Sequence, residues 1–235
     1  MQKAISIVIP AYNEEKSVGN VIEETIQVMD SLGCPYEIIV VDDGSTDGTY
    51  QAASKYKATV ISYPINRGKG YAVRRGFERA TGDIIVMIDS DGTHTPKEIP
   101  ELVEPLFNGT DIVAGSRFLG SIGESTTMIH RVGNFFINTA IASLTGQRIT
   151  DSQTGFRAIK REVIDRMHLN STGFEIESEI TIKSLKNGFR FKEKPITCQK
   201  RYYNVSRVKI LRDGQRIFRT IIQSSMAKIE HEPSN

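Results

Sequence analysis

Residues 84–96 read IIVMIDSDGTHTP and place a pair of acids directly after an apolar run. An apolar run bounded by polar residues predicts a buried strand, and Asp89 and Asp91 follow it with Ser90 between them. In an open sheet, side chains at the carboxyl end of a strand face the crevice where ligands bind. Two carboxylates one residue apart can share one divalent cation and leave positions for substrate phosphates. We therefore predict a metal site here, and a solvated acidic turn is the alternative for the pair taken alone.

The residues after the acid pair carry the signals of a helix start. Thr95, Pro96 and Glu98 supply a cap, a first-turn proline and a capping-box acid. Apolar residues then recur at helical spacing, and Pro100 and Pro105 predict that this helix is short or kinked. A buried strand, an acidic turn and a helix in this order favour a ligand-binding crevice over a plain surface turn.

The composition is that of a globular protein with room for a sizeable core. The chain has 235 residues, 39% of them apolar and 25% charged, and a formal net charge of +2. Such a small net charge argues against nucleic acid as a partner bound by bulk charge. Cys34 and Cys198 lie far apart in the sequence and suit a reducing compartment. No apolar run approaches the ~20 residues that a membrane-spanning helix needs, so we expect a cytoplasmic protein.

Strand and helix patterns alternate over the first half of the chain. The predicted strands are residues 4–9, 37–41, 59–62, 84–87 and 111–114. Apolar residues at helical spacing separate these runs. Such alternation favours right-handed crossovers. It predicts an α/β fold with a mostly parallel, Rossmann-like sheet flanked by helices.

Long amphipathic patterns dominate the second half. Residues 125–146, 174–188 and 210–229 are predicted helices, 189–193 and 196–199 are predicted short strands on either side of Pro195, and 200–203 form a basic, aromatic segment. The polar loop 151–157 runs into Ala158 and Ile159. The last helix combines an apolar stripe with basic residues, which suits either a membrane interface or docking of the stripe on the protein's own core.

Two glycine-containing segments follow predicted strands. Residues 42–48 read DDGSTDG and residues 66–70 read NRGKG. Neither has the spacing of a P-loop or of the dinucleotide-binding fingerprint. An acid at the end of the second strand can still accept hydrogen bonds from the ribose or base of a nucleotide. Structural turns are the alternative for both segments.

Several motifs together resemble those of the family 2 glycosyltransferases with a GT-A fold. They are residues 10–14 (PAYNE), 41–49 (VDDGSTDGT), 66–70 (NRGKG), 89–91 (DSD) and 115–117 (GSR). Residues 131–134 (RVGN), 151–157 (DSQTGFR) and 173–177 (GFEIE) resemble the polyprenyl-phosphate branch, which includes dolichyl-phosphate mannose and glucose synthases. The resemblance covers nearly the whole chain and implies a hexosyltransferase.

The resemblance also implies roles for individual residues. The implied ligands of Mg²⁺ or Mn²⁺ are Asp89 and Asp91. The implied donor nucleotide site comprises Pro10, Ala11, Tyr12, Glu14, Asp42, Asp43, Lys69, Asp89 and Ser90. The implied acceptor phosphate site comprises Arg117, Arg131, Asn134 and Arg157, and the implied catalytic residues are Asp91, Arg117, Arg131 and Gln153. Some relatives carry a Gln where this chain has Thr93, so a third protein ligand stays open.

The implied reaction is the metal-dependent, inverting transfer of a hexose from a nucleoside-diphosphate sugar to a polyprenyl (dolichyl) phosphate. A phosphate monoester has a second pKa of about 6, so this nucleophile is already ionised at neutral pH and needs arginines rather than a general base. Glu175 and Glu177 are base candidates if the acceptor is a hydroxyl, or first-turn acids favoured by the helix dipole. UDP-sugars and GDP-mannose are both open as donors, and residues 66–70 favour UDP-sugars by resemblance to glucose-transferring relatives.

The implied organisation is a single domain with two functional halves and a tail. Residues 1–118 would bind the nucleotide sugar, 119–204 the acceptor, and 205–235 would form the C-terminal amphipathic helix and tail. We expect peripheral binding at the cytoplasmic face of a membrane. The alternatives are transfer to a sugar hydroxyl, a nucleotidyltransferase, and a non-catalytic nucleotide-sugar binding module. The four histidines share no metal or triad spacing, and we predict no role for them.

Overall fold

The computed structural model describes residues 3–120, 128–199 and 210–226. Over these ranges the chain forms one sheet with helices on both of its faces. The strands are β1 (Ile5–Ala11), β2 (Tyr36–Asp42), β3 (Thr59–Ser62), β4 (Ile84–Met87), β5 (Ile112–Ser116), β6 (Arg157–Lys160) and β7 (Phe191–Pro195). The helices are α1 (Val18–Leu32), α2 (Thr49–Ala53), α3 (Lys69–Arg79), α4 (Ile99–Phe107), α5 (Met128–Thr145), α6 (Arg161–Asp165), α7 (Ile176–Lys186) and α8 (Ile210–Met226).

The strand order is β3-β2-β1-β4-β6-β5-β7. The β1/β2, β1/β4, β2/β3 and β5/β7 pairs are parallel, and only β6 runs antiparallel to its neighbours β4 and β5. The predicted mostly parallel α/β sheet is therefore confirmed. The sequence did not predict β6 as a strand, because its four residues, RAIK, follow a polar loop and are too short to show a period.

This topology brings an end of each of the seven strands to one edge of the sheet. The carboxyl ends of β1, β2, β3, β4, β5 and β7 all point to that edge, and β6 begins there because it is antiparallel. Arg157, the first residue of β6, pairs with Met87 at the end of β4 and with Ala114 of β5. The loop that precedes β6 therefore lies beside the acidic turn that follows β4.

Each face of the sheet carries its own apolar core. Successive strand side chains point to opposite faces, so Ile7 and Ile9 pack with α1 and α4 while Val8 packs with α3 and α7. In β4, Ile84 and Val86 belong to the first core and Ile85 to the second. A strand buried on both faces has no polar alternation, which is why residues 84–87 read as a continuous apolar run.

Some boundaries differ from the predicted ones. Helix α4 runs through Pro105 after a short 3-10 turn, because Pro100 lies in its first turn and Pro105 near its end, so little hydrogen bonding is lost. The predicted strand 196–199 is wrong as a regular strand, since it forms only an isolated bridge between His94 and Cys198. The predicted helix start at 125–127, the segment 200–203 and the end of the last helix after residue 226 lie outside the described residues.

Helix α8 docks part of its apolar stripe on the protein. Ile217 and Ile221 are 6% and 1% exposed and belong to the second core, where α8 contacts α7 and α5. Phe218 and Ile222, on a neighbouring stripe, are 60% and 43% exposed. Docking of the apolar stripe on the protein's own core is thus confirmed for Ile217 and Ile221. Among the described residues, no helix combines the length and the apolar character that crossing a membrane requires.

Asp111 ties together three strands at the edge opposite the acidic turn. It accepts a bond from Lys160 Nζ at 2.8 Å and bonds from the Arg190 backbone N–H at 2.9 Å and from Arg190 Nε at 3.1 Å. Burial alone would raise the pKa of Asp111, but the hydrogen bonds from Arg190 and Lys160 outweigh it and hold the pKa well below its usual range. The ionised form is therefore the one that the fold favours.

Because the pKa of Asp111 is lower in the folded state, its stabilising contribution is complete above the unfolded pKa of about 3.9 and is lost as the pH falls towards the folded value. We expect Asp111→Asn to lower the free energy of unfolding at pH 7 by about 1–2 kcal/mol after allowance for solvent screening. The deficit should shrink as the pH falls from 4 to 2, as measured by urea unfolding. Asp165→Asn, at a position 60% exposed, is the control, and an equal loss in both variants would contradict the prediction.

Candidate active site

The acidic turn after β4 is held in shape by Thr93. Both the backbone N–H and the hydroxyl of Thr93 donate to Asp91 Oδ1, at 2.9 and 2.7 Å. Asp89 and Asp91 are half-buried, and Ser90 between them is buried. Thr93 therefore orients the second carboxylate of the pair, and its hydroxyl hydrogen is committed to that task.

Lys69 lies between two carboxylates at the centre of the site. Its Nζ is 2.6 Å from Asp89 Oδ1 and 2.7 Å from Glu177 Oε1. Burial lowers the pKa of Lys69, but Asp89 and Glu177 raise it by more than burial lowers it, so the ammonium stays charged. Burial raises the pKa of the Glu177 carboxyl, which Lys69 only partly offsets, whereas Lys69 and other cations outweigh burial at Asp89 and lower its pKa. The prediction that Lys69 binds the donor is untested, and here it neutralises the first acid of the pair.

The loop that carries Lys69 is fixed by Asp43. The carboxylate of Asp43 accepts the backbone N–H groups of Arg67 at 2.9 Å and Gly68 at 2.7 Å. Gly68 has a φ of 99°, and a Cβ there would meet Thr172 O at 2.3 Å, so only glycine fits. Asp43 thus shapes the loop in front of α3, and its predicted contact with the nucleotide stays a prediction.

The loops after β1 and β2 are joined by Asn13. Its N–H donates to Ser45 Oγ at 2.8 Å, and its side-chain oxygen accepts the Thr46 N–H at 2.7 Å. Asn13 has a φ of 52°, a left-handed conformation that Asn tolerates better than most residues. Asp42 braces the second loop by accepting the N–H of Ser45 at 3.1 Å. The motif contained Asn13, but sequence reasoning assigned it no role.

The remaining residues predicted for the donor line the same edge. Pro10, Ala11 and Glu14 are buried and Tyr12 is half-buried. Glu14 is held by the Ser17 hydroxyl, which donates to Glu14 Oε2 at 2.9 Å. The structure thus gathers the predicted donor residues around the ends of β1, β2 and β4 and the start of α3, although their contacts with a nucleotide are untested.

Arg117 is held by a buried carboxylate. Its Nε donates to Asp151 Oδ2 at 2.7 Å and its Nη2 to Asp151 Oδ1 at 2.8 Å, while the Arg117 backbone N–H adds a third bond at 3.1 Å. Asp151 is fully buried and the Arg117 side chain is 23% exposed. Burial lowers the pKa of Arg117, but Asp151 raises it beyond its usual range. Arg117 follows β5 directly. The Gly115 N–H of that strand donates to Phe156 O at 2.9 Å, and the neighbouring Gly155 lies against Asp89, so the arginine and the acidic turn lie at the same edge of the sheet.

The other predicted acceptor residues on α5 lie close to the same loop. Asn134 Nδ2 is 3.4 Å from Asp151 Oδ1 and from Thr150 O, and Asn138 Nδ2 donates to Thr150 O at 2.6 Å. Arg131 is half-buried, and its Nε is buried without a hydrogen-bond partner in the described part of the chain. Helix α5 therefore buttresses the 150–151 turn.

Two residues of the polar loop, Arg157 and Gln153, make hydrogen bonds within the protein, and only the position of Arg157 differs from the predicted one. Arg157 is fully buried, and its guanidinium donates to Thr154 O, Ser152 O and Thr181 Oγ1 at 2.7–2.9 Å. Its predicted contact with the acceptor phosphate is corrected to an internal role, because every one of its bonds goes to the protein and no solvent reaches it. Gln153 is half-buried, and its Nε2 donates to Ser178 Oγ at 2.6 Å.

Gly155 approaches Asp89 more closely than any side chain could. A Cβ at this position would lie 2.5 Å from Asp89 Oδ2 and 2.7 Å from Oδ1. Because Asp89 is also held by Lys69, it has little freedom to move away. The loop before β6 therefore forms one wall of the acidic turn, a contact that the motif alone did not indicate.

We expect Gly155→Ala to displace Asp89 and to lower turnover by about 100-fold, the effect of a small misplacement of a reacting group. Steady-state rates at saturating substrates would measure the loss. Gly133→Ala on α5 is the matched control, since a Cβ there meets nothing within 4 Å. Full activity of Gly155→Ala would show that Asp89 can shift without consequence.

His94 is a buried residue of the acidic turn for which no role was predicted. It is 4% exposed, its ring stacks on Phe156 with centroids 5.6 Å apart, and neither ring nitrogen has a hydrogen-bond partner within the described ranges. Burial lowers the pKa of His94 although Asp89 and Asp91 oppose it. A neutral imidazole therefore links the acid pair to the loop before β6 by packing.

The described residues contain no group of three or more acidic, His or Cys side chains that could hold a metal ion by themselves. Asp89 and Asp91 can offer carboxylate oxygens, which suit Mg²⁺ or Mn²⁺, and the other positions would fall to substrate oxygens. A metal that binds together with a diphosphate needs only such a partial set of protein ligands. The carboxylate oxygens of Asp89 and Asp91 fit this kind of site.

A seven-stranded, mostly parallel sheet with an acid pair at the end of a central strand defines an α/β protein of the open-sheet class, and comparisons with known proteins specify the family. The profile of glycosyl transferase family 2 matches residues 6–167. An uncharacterized protein of Methanocaldococcus jannaschii is 35% identical over 93% of this chain and 91% of its own length. The chain belongs to glycosyl transferase family 2, and its fold is GT-A.

Other similar proteins carry descriptions of their activity. The dolichol-phosphate mannosyltransferase of Pyrococcus furiosus is 38% identical over 76% of this chain and 52% of its own length. The chain thus spans about half the length of this named relative. The crystal structure of glucosyl-3-phosphoglycerate synthase from Mycobacterium tuberculosis with Mn²⁺, uridine diphosphate and phosphoglyceric acid is 25% identical, with a TM-score of 0.78 over 96% of this chain and 80% of that one.

Proposed function

We propose that this glycosyltransferase transfers a hexose, with inversion, from a nucleoside-diphosphate sugar to a polyprenyl phosphate, with Mg²⁺ or Mn²⁺ at Asp89 and Asp91. The observation that carries the proposal is the placement of Arg117, a cation that Asp151 fixes at the carboxyl end of β5, on the same edge of the sheet as the acid pair. A fixed guanidinium there suits an anionic nucleophile, because it binds a phosphate in bidentate geometry without a proton transfer.

The positions of the candidate bases support a phosphate acceptor over a sugar hydroxyl. Glu177 is 2% exposed and pairs with Lys69, and Glu175 is 6% exposed and accepts the backbone N–H groups of Thr172 and Gly173 at 3.2 and 3.0 Å. A hydroxyl nucleophile needs a base within hydrogen-bond reach. A phosphate dianion does not, so the engagement of both candidate bases, Glu175 and Glu177, in bonds within the described part of the protein favours the lipid phosphate.

Within this proposal each half of the domain has one task. Residues 1–118 bind the donor, a UDP-sugar or GDP-mannose, and residues 119–204 bind the acceptor. A bound divalent cation would stabilise the charge that develops on the departing diphosphate. Lys69 keeps Asp89 oriented, Thr93 keeps Asp91 oriented, and Arg117 with Arg131 holds the acceptor phosphate. The similarity to a protein named dolichol-phosphate mannosyltransferase and to a crystal structure that contains Mn²⁺ supports the proposed function.

The test combines each of three nucleotide-sugar donors with several acceptors. Labelled UDP-glucose, UDP-N-acetylglucosamine and GDP-mannose are each incubated with undecaprenyl or dolichyl phosphate, with the matching free alcohol, with simple sugars and with 3-phosphoglycerate. Label in lipid and release of nucleoside diphosphate with the lipid phosphate alone would support the proposal. Equal turnover with the alcohol or a sugar would overturn it, and release of pyrophosphate would identify a nucleotidyltransferase.

A lipid acceptor also requires contact with a membrane surface, and α5 offers an apolar face for it. Val132, Phe135 and Phe136 are 51%, 67% and 67% exposed, and Phe218 on the adjoining α8 is 60% exposed. Exposed Arg212, Arg216 and Arg219 on α8 add positive charge. Aromatic and basic side chains on one side of amphipathic helices suit the interface of an anionic bilayer. We therefore propose peripheral binding at the cytoplasmic membrane face.

We expect Phe135→Ser combined with Phe136→Ser to lower the partition coefficient onto phosphatidylglycerol vesicles, measured by flotation, by about 100-fold or more, since each buried aromatic side chain contributes roughly 1.5–3 kcal/mol and about 1.4 kcal/mol is a factor of ten. A chain that ends at residue 204 should also bind less than the intact chain. Phe107→Ser is the matched control, because Phe107 is 56% exposed but lies on α4, on the opposite face of the sheet. Equal flotation of all these proteins, or none, would contradict membrane binding through α5 and α8.

A further inference from the structure

Glu193 lies outside the candidate active site, on the edge strand β7. It stands opposite Ala114 of β5 in the parallel pair and is half-buried. Its carboxylate accepts three hydrogen bonds from two successive residues. Glu193 Oε2 accepts the Thr150 N–H at 2.8 Å, and Glu193 Oε1 accepts the Asp151 N–H at 2.8 Å and the Thr150 hydroxyl at 2.9 Å. One side chain therefore fixes the 150–151 turn.

The same turn carries the carboxylate that holds Arg117. Asp151 hangs from a backbone N–H bound to Glu193, and its two oxygens accept Nε and Nη2 of Arg117 at 2.7 and 2.8 Å. A second link joins the turn to the end of β5, just before Arg117, because Ser116 Oγ lies 2.6 Å from Thr150 Oγ1. A continuous series of short bonds thus runs from the edge of the sheet to the guanidinium.

The chemistry of this contact requires a carboxylate. All three groups that face Glu193 donate hydrogens, and an ionised carboxylate only accepts them. An amide in its place would turn an NH₂ group towards a donor and leave at least one donor without a partner. Hydrogen bonds to an ionised group are also roughly twice as strong as those between neutral groups. Glu193→Gln therefore loosens the turn while it preserves size and shape.

We propose that Glu193 is a positioning residue for Arg117, acting through the 150–151 turn and Asp151, and that it thereby sets the affinity of the enzyme for the acceptor phosphate. This inference rests on the proposed function, in which Arg117 binds that phosphate. Glu193 contacts no residue of the acidic turn among the bonds described. Its substitution should therefore affect the acceptor and leave the donor unaffected.

The test compares Glu193→Gln with wild type and with a matched control in the full chain. We expect the KM for undecaprenyl phosphate to rise about tenfold, the effect of losing one or two charge-assisted bonds in a coupled network. The dissociation constant of UDP and the melting temperature should stay close to wild type. Glu104→Gln removes a carboxylate that is 62% exposed and pairs with Lys194, the residue after Glu193. This control should change neither the KM for undecaprenyl phosphate nor the dissociation constant of UDP.

A double-mutant cycle separates positioning from general destabilisation. In an Arg117→Ala background, Glu193→Gln should have no further effect on the acceptor KM, since the group that it positions is gone. Additive losses in the double variant, or a matching loss of UDP binding in Glu193→Gln, would overturn the proposal.

A structural measurement keeps this test independent of the acceptor's identity. The Nε–H resonance of Arg117, identified by its absence in Arg117→Lys, should be sharp in wild type and broadened in Glu193→Gln. An unchanged resonance in Glu193→Gln would overturn the positioning role. A broadened resonance in an enzyme that does not use polyprenyl phosphate would support positioning and reject the proposed acceptor.

Discussion

Asp91→Asn should lower kcat by about a thousandfold, which corresponds to ~4 kcal/mol of transition-state stabilisation, while the protein stays folded. The carboxylate of Asp91 is half-buried and accepts the hydrogen bonds of the Thr93 backbone N–H and hydroxyl. An asparagine oxygen can accept the same two bonds, so the substitution removes the charge and keeps the contact with Thr93. The expected loss is therefore one of metal affinity and of charge stabilisation at the departing diphosphate.

Three measurements check this prediction. Initial rates are followed against Mn²⁺ and Mg²⁺ concentration, Mn²⁺ binding is followed by electron paramagnetic resonance in the presence of UDP, and thermal unfolding confirms the fold. Excess chelator should abolish transfer by the wild type, and Asp165→Asn should behave as wild type. Full activity of Asp91→Asn, or of the wild type in chelator, would reject the metal site.

Asp89→Asn should be equally inactive but for a mixed reason. Asp89 pairs with Lys69, so its neutralisation leaves the buried ammonium with Glu177 as its only carboxylate within salt-bridge distance in the described structure. Loss of one partner of a buried pair is costly, and this variant should also unfold at a lower temperature. Asp91→Asn is therefore the cleaner test of the metal site.

The second large effect is expected at Arg117. Arg117→Ala should lower kcat/KM for the lipid phosphate by about 100- to 1000-fold, because it removes a bidentate, charge-assisted contact to the nucleophile. UDP should bind as tightly as in wild type, since the predicted donor residues lie around β1, β2 and β4. Calorimetric titration with UDP and Mn²⁺, together with acceptor-dependent rates, separates the two effects.

Arg117→Ala also leaves Asp151 buried without its cation, so a second variant is needed. Because no solvent reaches Asp151, its carboxylate would then be a buried charge without a cation, which destabilises the fold. Arg117→Lys retains a positive charge but cannot reproduce the forked geometry, and it should lose at least tenfold in acceptor kcat/KM. Arg131→Ala, at a half-buried position on α5, should weaken binding of the acceptor. Wild-type acceptor kinetics in Arg117→Lys would contradict the role of Arg117.

The sequence alone was sufficient for five strands of the sheet and for the position of the acid pair. Buried parallel strands read as apolar runs because both of their faces are covered, so β1, β2, β3, β4 and β5 could be predicted close to their observed bounds. Parallel strands also end at a common edge, which placed Asp89 and Asp91 in the crevice. The family motifs then implied the glycosyltransferase class, which the comparisons confirm.

Only the tertiary structure revealed which side chains hold the site residues. Lys69 meets Asp89 across 20 residues of sequence and Glu177 across 108, and such long-range pairs have no local pattern. Strand β6 was missed because four residues between long-range neighbours carry no periodicity of their own. Its insertion between β4 and β5 is what brings Gly155 against Asp89.

The same limit applies to charge and burial. In the sequence, Arg117, Arg131 and Arg157 were equivalent cations in motifs that resemble those of the family, yet the fold buries Arg157 entirely, pairs Arg117 with Asp151 and leaves Arg131 half-buried. The apolar stripe of α8 was likewise ambiguous until the packing of Ile217 separated it from the exposed Phe218. Local sequence determines which elements form and what chemistry they carry, whereas the partners of a charged or apolar side chain depend on the distant segments that the fold brings beside it.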